Sequence, residues 1–108
     1  MPGFSQLKHE SRQTYLQQYP NGQFSANAHY WLGEIYFLQN KMSLSNKEFQ
    51  TIVDQYPKDQ KVPDAMLKLA FINDSAGKKD QAHQQLKEIV KKYPGTTAAQ
   101  LATMRLKS

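Results

Sequence analysis

The side chains able to do chemistry are few and scattered. His9, His29 and His83 could ligate a metal or move a proton, and Glu34, Asp64 and Asp74 could in principle work as paired carboxylates. A helical zinc site needs two ligands about four residues apart on one face, and none of the three histidines has a ligand-type partner at that spacing. There is no cysteine, which removes thiolate nucleophiles, disulfides and cysteine zinc sites together. No G-x-S-x-G, H-E-x-x-H or phosphate-cradling glycine loop occurs, and nothing sets a nucleophile or base beside the carboxylates. The expectation is a non-enzymatic chain with no catalytic, cofactor-binding or metal-binding residues.

The elements that carry these residues are set by a repeat. Tyr-Pro recurs at Tyr19-Pro20, Tyr56-Pro57 and Tyr93-Pro94, each 37 residues after the last. In the same register stand Ala28, Ala65 and Ala102, then Leu32, Leu69 and Leu106, then Tyr15, Ile52 and Ile89. Gly33 becomes Ala70, Ser45 becomes Ala82 and Phe49 becomes Leu86, so size is kept where two helices must approach closely. Gly33 inside a helix costs about 1 kcal/mol against Ala, which a close crossing would justify.

Apolar spacing predicts six helices and no strand. The first covers about residues 5–19, capped by Ser5, and reads as the second helix of a pair. The next runs from about Ser25 to Gln39 and ends at Asn40, which takes the place Gly77 holds one period later; both residues enter the left-handed conformation readily. Ser43 and Asp80, also one period apart, are expected N-caps for helices beginning at Leu44 and Gln81. A helix opens near Pro63 and continues to Ala76, another spans Gln81 to Lys92, and Gly95-Thr96-Thr97 caps the last, from Ala98 to Lys107.

Leu32-Gly33-Glu34-Ile35-Tyr36 on one helix, answered by Ser45, Phe49 and Tyr56-Pro57 on the next, resembles the tetratricopeptide repeat (TPR) pattern. The fold class implied is all-α, a TPR-like right-handed superhelix of antiparallel hairpins with two full repeats and flanking half repeats. Residues 1–4 read as a linker remnant and 5–108 as the domain. Met1-Pro2-Gly3 does not open a signal peptide, and no apolar run approaches the roughly 20 residues that span a bilayer, so no direct membrane insertion is expected.

In TPR stacks the first helix of each pair lines the concave surface. Helical phase then places Asn27, Tyr30, Glu34, Phe37, Asp64, Leu67, Phe71, Asp74, Leu101 and Met104 along a partner-binding groove. The set contains no Lys or Arg in a chain carrying 14 of them and a net charge of +5. Lys47, Lys58, Lys61, Lys78, Lys79, Lys87, Lys91 and Lys92 fall instead on second helices and turns, predicting a basic outer surface around a weakly acidic, aromatic trough. Tyr30, Phe37, Leu67 and Phe71 either line that trough or pack between repeats, and Trp31 is expected to be buried between hairpins. The trough suits an amphipathic helix or extended segment bearing Lys or Arg. A nucleic-acid role would need the basic outer helices to act as a phosphate-binding patch; it is the weaker reading, and no nucleic-acid partner is expected.

Three runs resemble one family in particular: residues 26–34 (A-N-A-H-Y-W-L-G-E), Tyr56-Pro57-Lys58 followed by Asp64-Ala65-Met66-Leu67-Lys68, and Lys92-Tyr93-Pro94-Gly95-Thr96. They are similar to the C-terminal TPR domain of the periplasmic Tol–Pal-associated cell division coordinators (YbgF, CpoB) of Gram-negative bacteria. The resemblance implies a periplasmic scaffold that binds the helical domain of TolA and helps couple outer-membrane constriction to peptidoglycan synthesis by a bifunctional penicillin-binding protein. It also implies self-association, since full-length members form trimers through a coiled coil. Departures are the start without a first helix in the first repeat and Ser43-Leu44-Ser45 in place of a more acidic, Ala-rich opening. The competing expectation is a TPR subunit of an outer-membrane protein assembly machine that handles client proteins.

Overall fold

The structure, a computed structural model, describes residues 23–108, with side chains from residue 25 onward. Five helices follow one another: α1 (Gln23–Leu38), α2 (Met42–Gln55), α3 (Val62–Ser75), α4 (Lys79–Lys92) and α5 (Thr97–Leu106). Among the described residues there is no strand. The helix expected over 5–19 lies outside them.

The two tight turns use one device with two different residues. Asn40 and Gly77 take φ of 61° and 83°. The N–H after each reaches back five residues, Lys41 to the Tyr36 carbonyl at 2.8 Å and Lys78 to the Asn73 carbonyl at 2.9 Å. That is the Schellman arrangement, which satisfies carbonyls the helix end would otherwise orphan. Because Lys41 and Lys78 close this turn and also act as N-caps of the following helices, α2 and α4 begin earlier than expected. Ser43 and Asp80 therefore lie inside the first turn and do not cap. Asp80 still favours its helix, as a negative charge near the N-terminal end of the macrodipole.

The longer connections end on Tyr-Pro. Tyr56 and Tyr93 each donate their N–H to the carbonyl four residues back, at 2.9 Å, before a proline that has no N–H to continue the ladder. Pro63 sits in the first turn of α3 as anticipated. Thr96 is a true cap: its hydroxyl accepts from the Ala99 N–H at 3.1 Å.

Each pair of helices buries its facing side chains in one of two cores. The first gathers Ala26, Phe49, Ile52, Tyr56, Val62, Ala65, Leu69 and Ile72; the second gathers Leu67, Ala70, Leu86, Ile89, Ala98, Ala99 and Ala102. Helix α3 belongs to both, giving Leu69 and Ile72 to one and Leu67 and Ala70 to the other. The stack is therefore continuous through its middle helix.

Candidate functional site

The predicted groove residues lie on α1, α3 and α5, and their surroundings differ along the row. Asn27, Tyr30, Glu34, Phe37, Asp64, Phe71 and Asp74 are half-buried. Leu67, predicted to line the groove, is instead only 5% exposed and packs in the second core. Leu101 and Met104 stand out at 43% and 65% exposure. Tyr30 and Phe37 rest on the first core and Phe71 on the second.

Tyr30 packs edge-on against Phe49, with ring centroids 5.5 Å apart, and the Lys61 ammonium lies 4.6 Å from its own centroid. Burial, and then the negative charges of Glu34 and Asp64, push the Tyr30 phenol up to about 12. It remains a neutral donor throughout the physiological range.

The acids are not left facing solvent alone. Lys68 on α3 reaches back to Glu34 on α1 at 2.9 Å, and its ammonium lies 5.8 Å from the Phe37 ring centroid. One period later Arg105 on α5 reaches back to Asp74 on α3, with its guanidinium 5.9 Å from the Phe71 centroid. Lys79 also meets Asp74, at 2.6 Å. Hydrogen bonds from Lys79 and then Arg105 hold the Asp74 carboxyl below its ordinary value.

Lys68 and Arg105 occupy equivalent positions, yet acid and ring exchange places beneath them. Glu34 and Phe37 in the first repeat correspond to Phe71 and Asp74 in the second. Residues three apart share a helix face, so either order presents one acid and one ring to the incoming cation. The junction chemistry is thus repeated although neither residue is.

This corrects the expected cation-free trough. Lys68 pairs with Glu34, Arg105 pairs with Asp74 and Lys61 lies over the Tyr30 ring, because long side chains at one junction reach across to the preceding helix. Lys79, placed by sequence on the outer surface, is likewise drawn to Asp74. Trp31 is also not buried: it is 61% exposed. It holds the same register position as Lys68 and Arg105, which lie over the preceding first helix; among the described residues no first helix precedes α1. Aligning 31, 68 and 105 by the period was the signal available in the sequence.

The remaining predicted features are structural. Lys47, Lys58, Lys78, Lys87, Lys91 and Lys92 are exposed, and Glu88 raises the Lys92 pKa through a 2.9 Å pair. His29 is drawn into the first hairpin, where its Nδ1 lies 2.8 Å from Glu48 Oε1 with both side chains buried. Among the described residues no group of three His, Asp or Glu side chains is placed to hold a metal ion.

The family model described as Tetratricopeptide repeat matches residues 27–59 and 64–96, more than half of the chain. The chain belongs to the tetratricopeptide repeat family. No curated protein matches it. As a tetratricopeptide repeat protein it has one matched unit across α1 and α2 and another across α3 and α4, with α5 as a further first-type helix. Such repeats are protein-interaction scaffolds and are generally non-enzymatic. The row of rings and ion pairs lies along their first helices.

Proposed function

We propose that this chain is a protein-binding adaptor of the bacterial periplasm whose groove along α1, α3 and α5 receives a helical segment of TolA. In that role it helps couple Tol–Pal constriction to peptidoglycan synthesis. The observation that carries the groove reading is the repeated junction: a ring and an acid on one first helix, covered by a cation from the next. Exposed Leu101 and Met104 and half-buried Tyr30, Phe37 and Phe71 supply apolar anchors for affinity. The ion pairs supply orientation.

The choice of partner is supported by the runs at residues 26–34, 56–68 and 92–96 and by charge exchange. A partly exposed ion pair such as Lys68–Glu34 is worth about 0–1 kcal/mol, so a lysine on an incoming helix can replace Lys68 at little cost. Titration of the domain with the TolA helical segment tests this. Lys68→Ala frees Glu34 and is expected to tighten binding, while Glu34→Gln weakens it. Equal affinity for both variants would refute the exchange mechanism, and failure of Tyr30→Ala to weaken binding would refute the groove. Periplasmic location is checked by cell fractionation.

A further inference from the structure

A hollow of about 480 Å³ opens at the corner where α3 ends, α4 begins and α5 ends. Buried Ala82 and Leu86, with half-buried Leu106, give it an apolar base. Asp74, Lys79, His83, Arg105 and Ser108 border it as well. Its size falls among small-ligand and side-chain pockets, which run about 300–1,000 Å³.

The hollow has a cause in the repeat. One period earlier the positions of Asp74, Lys79 and Leu86 are held by Phe37, Met42 and Phe49, and all three pack into or onto the first core. In the second repeat two rings and a thioether are replaced by a carboxylate, an ammonium and a smaller aliphatic group. Space that hydrophobic side chains occupy in the first repeat is left open and edged with charge.

Among the side chains of this border, cations outnumber the carboxylate. Lys79 and Arg105 share the single Asp74 carboxylate, at 2.6 Å from Lys79. An ammonium has three donors and a guanidinium five, so one carboxylate leaves donors on both cations unused, and His83 adds another at the edge. A second carboxylate placed between Lys79 and Arg105 would meet charge-assisted donors on both sides.

We propose that this hollow binds an acidic peptide segment: an apolar side chain enters between Ala82, Leu86 and Leu106 while a flanking carboxylate bridges Lys79 and Arg105. The site goes beyond the groove reading: it shares Asp74 and Arg105 with the end of that row, but opens toward α4 through Lys79, Ala82 and Leu86 and selects the opposite charge.

The probe is an acetylated, amidated peptide of sequence Gly-Glu-Leu-Glu-Gly, followed by backbone resonance shifts, with a twin carrying Gln for Glu. Shifts are expected in the first turns of α4 and the last turn of α5, with the twin binding about tenfold more weakly. Lys79→Gln and Arg105→Gln each cost a similar factor, whereas Lys92→Gln, the same charge change at the far end of α4, costs none. Helix content by circular dichroism confirms that these exposed substitutions leave the fold intact. Equal binding of the twin, an equal loss from Lys92→Gln, shifts confined to α1, or no binding would each overturn the proposal. Loss of the acidic peptide in Lys79→Gln with retention of the TolA segment would leave the groove reading standing.

Discussion

A carbon added at Gly33 would lie 2.7 Å from the ring of Phe49. Helices α1 and α2 therefore cross through a missing side chain, and Ser45 ties the crossing by donating its hydroxyl to the Gly33 carbonyl at 2.7 Å. In the second repeat Ala70 stands at the glycine position and Leu86 at the phenylalanine position, both buried. The two solutions are complementary in size.

Gly33→Ala is consequently expected to destabilise the fold by about 1–2 kcal/mol in urea unfolding, overpacking outweighing the gain in helix propensity. Adding Phe49→Leu recreates the pairing of the second repeat and restores most of the loss. A Gly33→Ala protein as stable as its parent would show that the rings can move aside freely.

Leu67 and Met104 are one period apart and belong to different categories of surface. Leu67→Ala should cost about 2–5 kcal/mol because it hollows the second core. Met104→Ala should stay within about 0.5 kcal/mol while weakening partner binding. The prediction fails if chemical denaturation ranks the two alike.

The Tyr30 phenol gives a spectroscopic handle. Raised to about 12, it should ionise late when tyrosinate absorbance is followed from pH 10 upward. Its raised folded value means that its stabilising share is complete below the ordinary value of 10.0 and is lost as pH climbs through about 12. Tyr30→Phe should delete the late step, and an unchanged titration would count against the assignment.

Asp74 acts at the other end of the scale. Its folded pKa lies below the ordinary 3.8, so the stability it supplies is present above 3.8 and disappears as pH falls through the depressed value. Asp74→Asn should flatten the acid limb of the stability profile, the two proteins converging at the lowest pH. Profiles that run parallel through that window would mean that Lys79 and Arg105 do not depend on this carboxylate.

Helices, turns and core were legible because they follow local spacing: a left-handed Asn40 replacing Gly77, a proline after Tyr56 and after Tyr93, and small residues at the crossing. What spacing alone did not reveal was reach. Glu34 and Lys68 are 34 residues apart and Asp74 and Arg105 are 31 apart, and helical phase assigns a face without saying which long side chain bends over it from the next repeat. The same limit hid the exposure of Trp31, whose fate depends on what lies before it. Ser43 and Asp80 are not caps because a Schellman turn leaves one residue, Lys41 or Lys78, to end one helix and start another.

The double membership of α3 gives the array a particular mechanical character. Peeling either hairpin away uncovers Leu69 and Ile72 or Leu67 and Ala70 on the same helix, so damage at one end is felt at the other. A tug on a docked ligand would thus load the whole stack like a leaf spring rather than unzip it bead by bead.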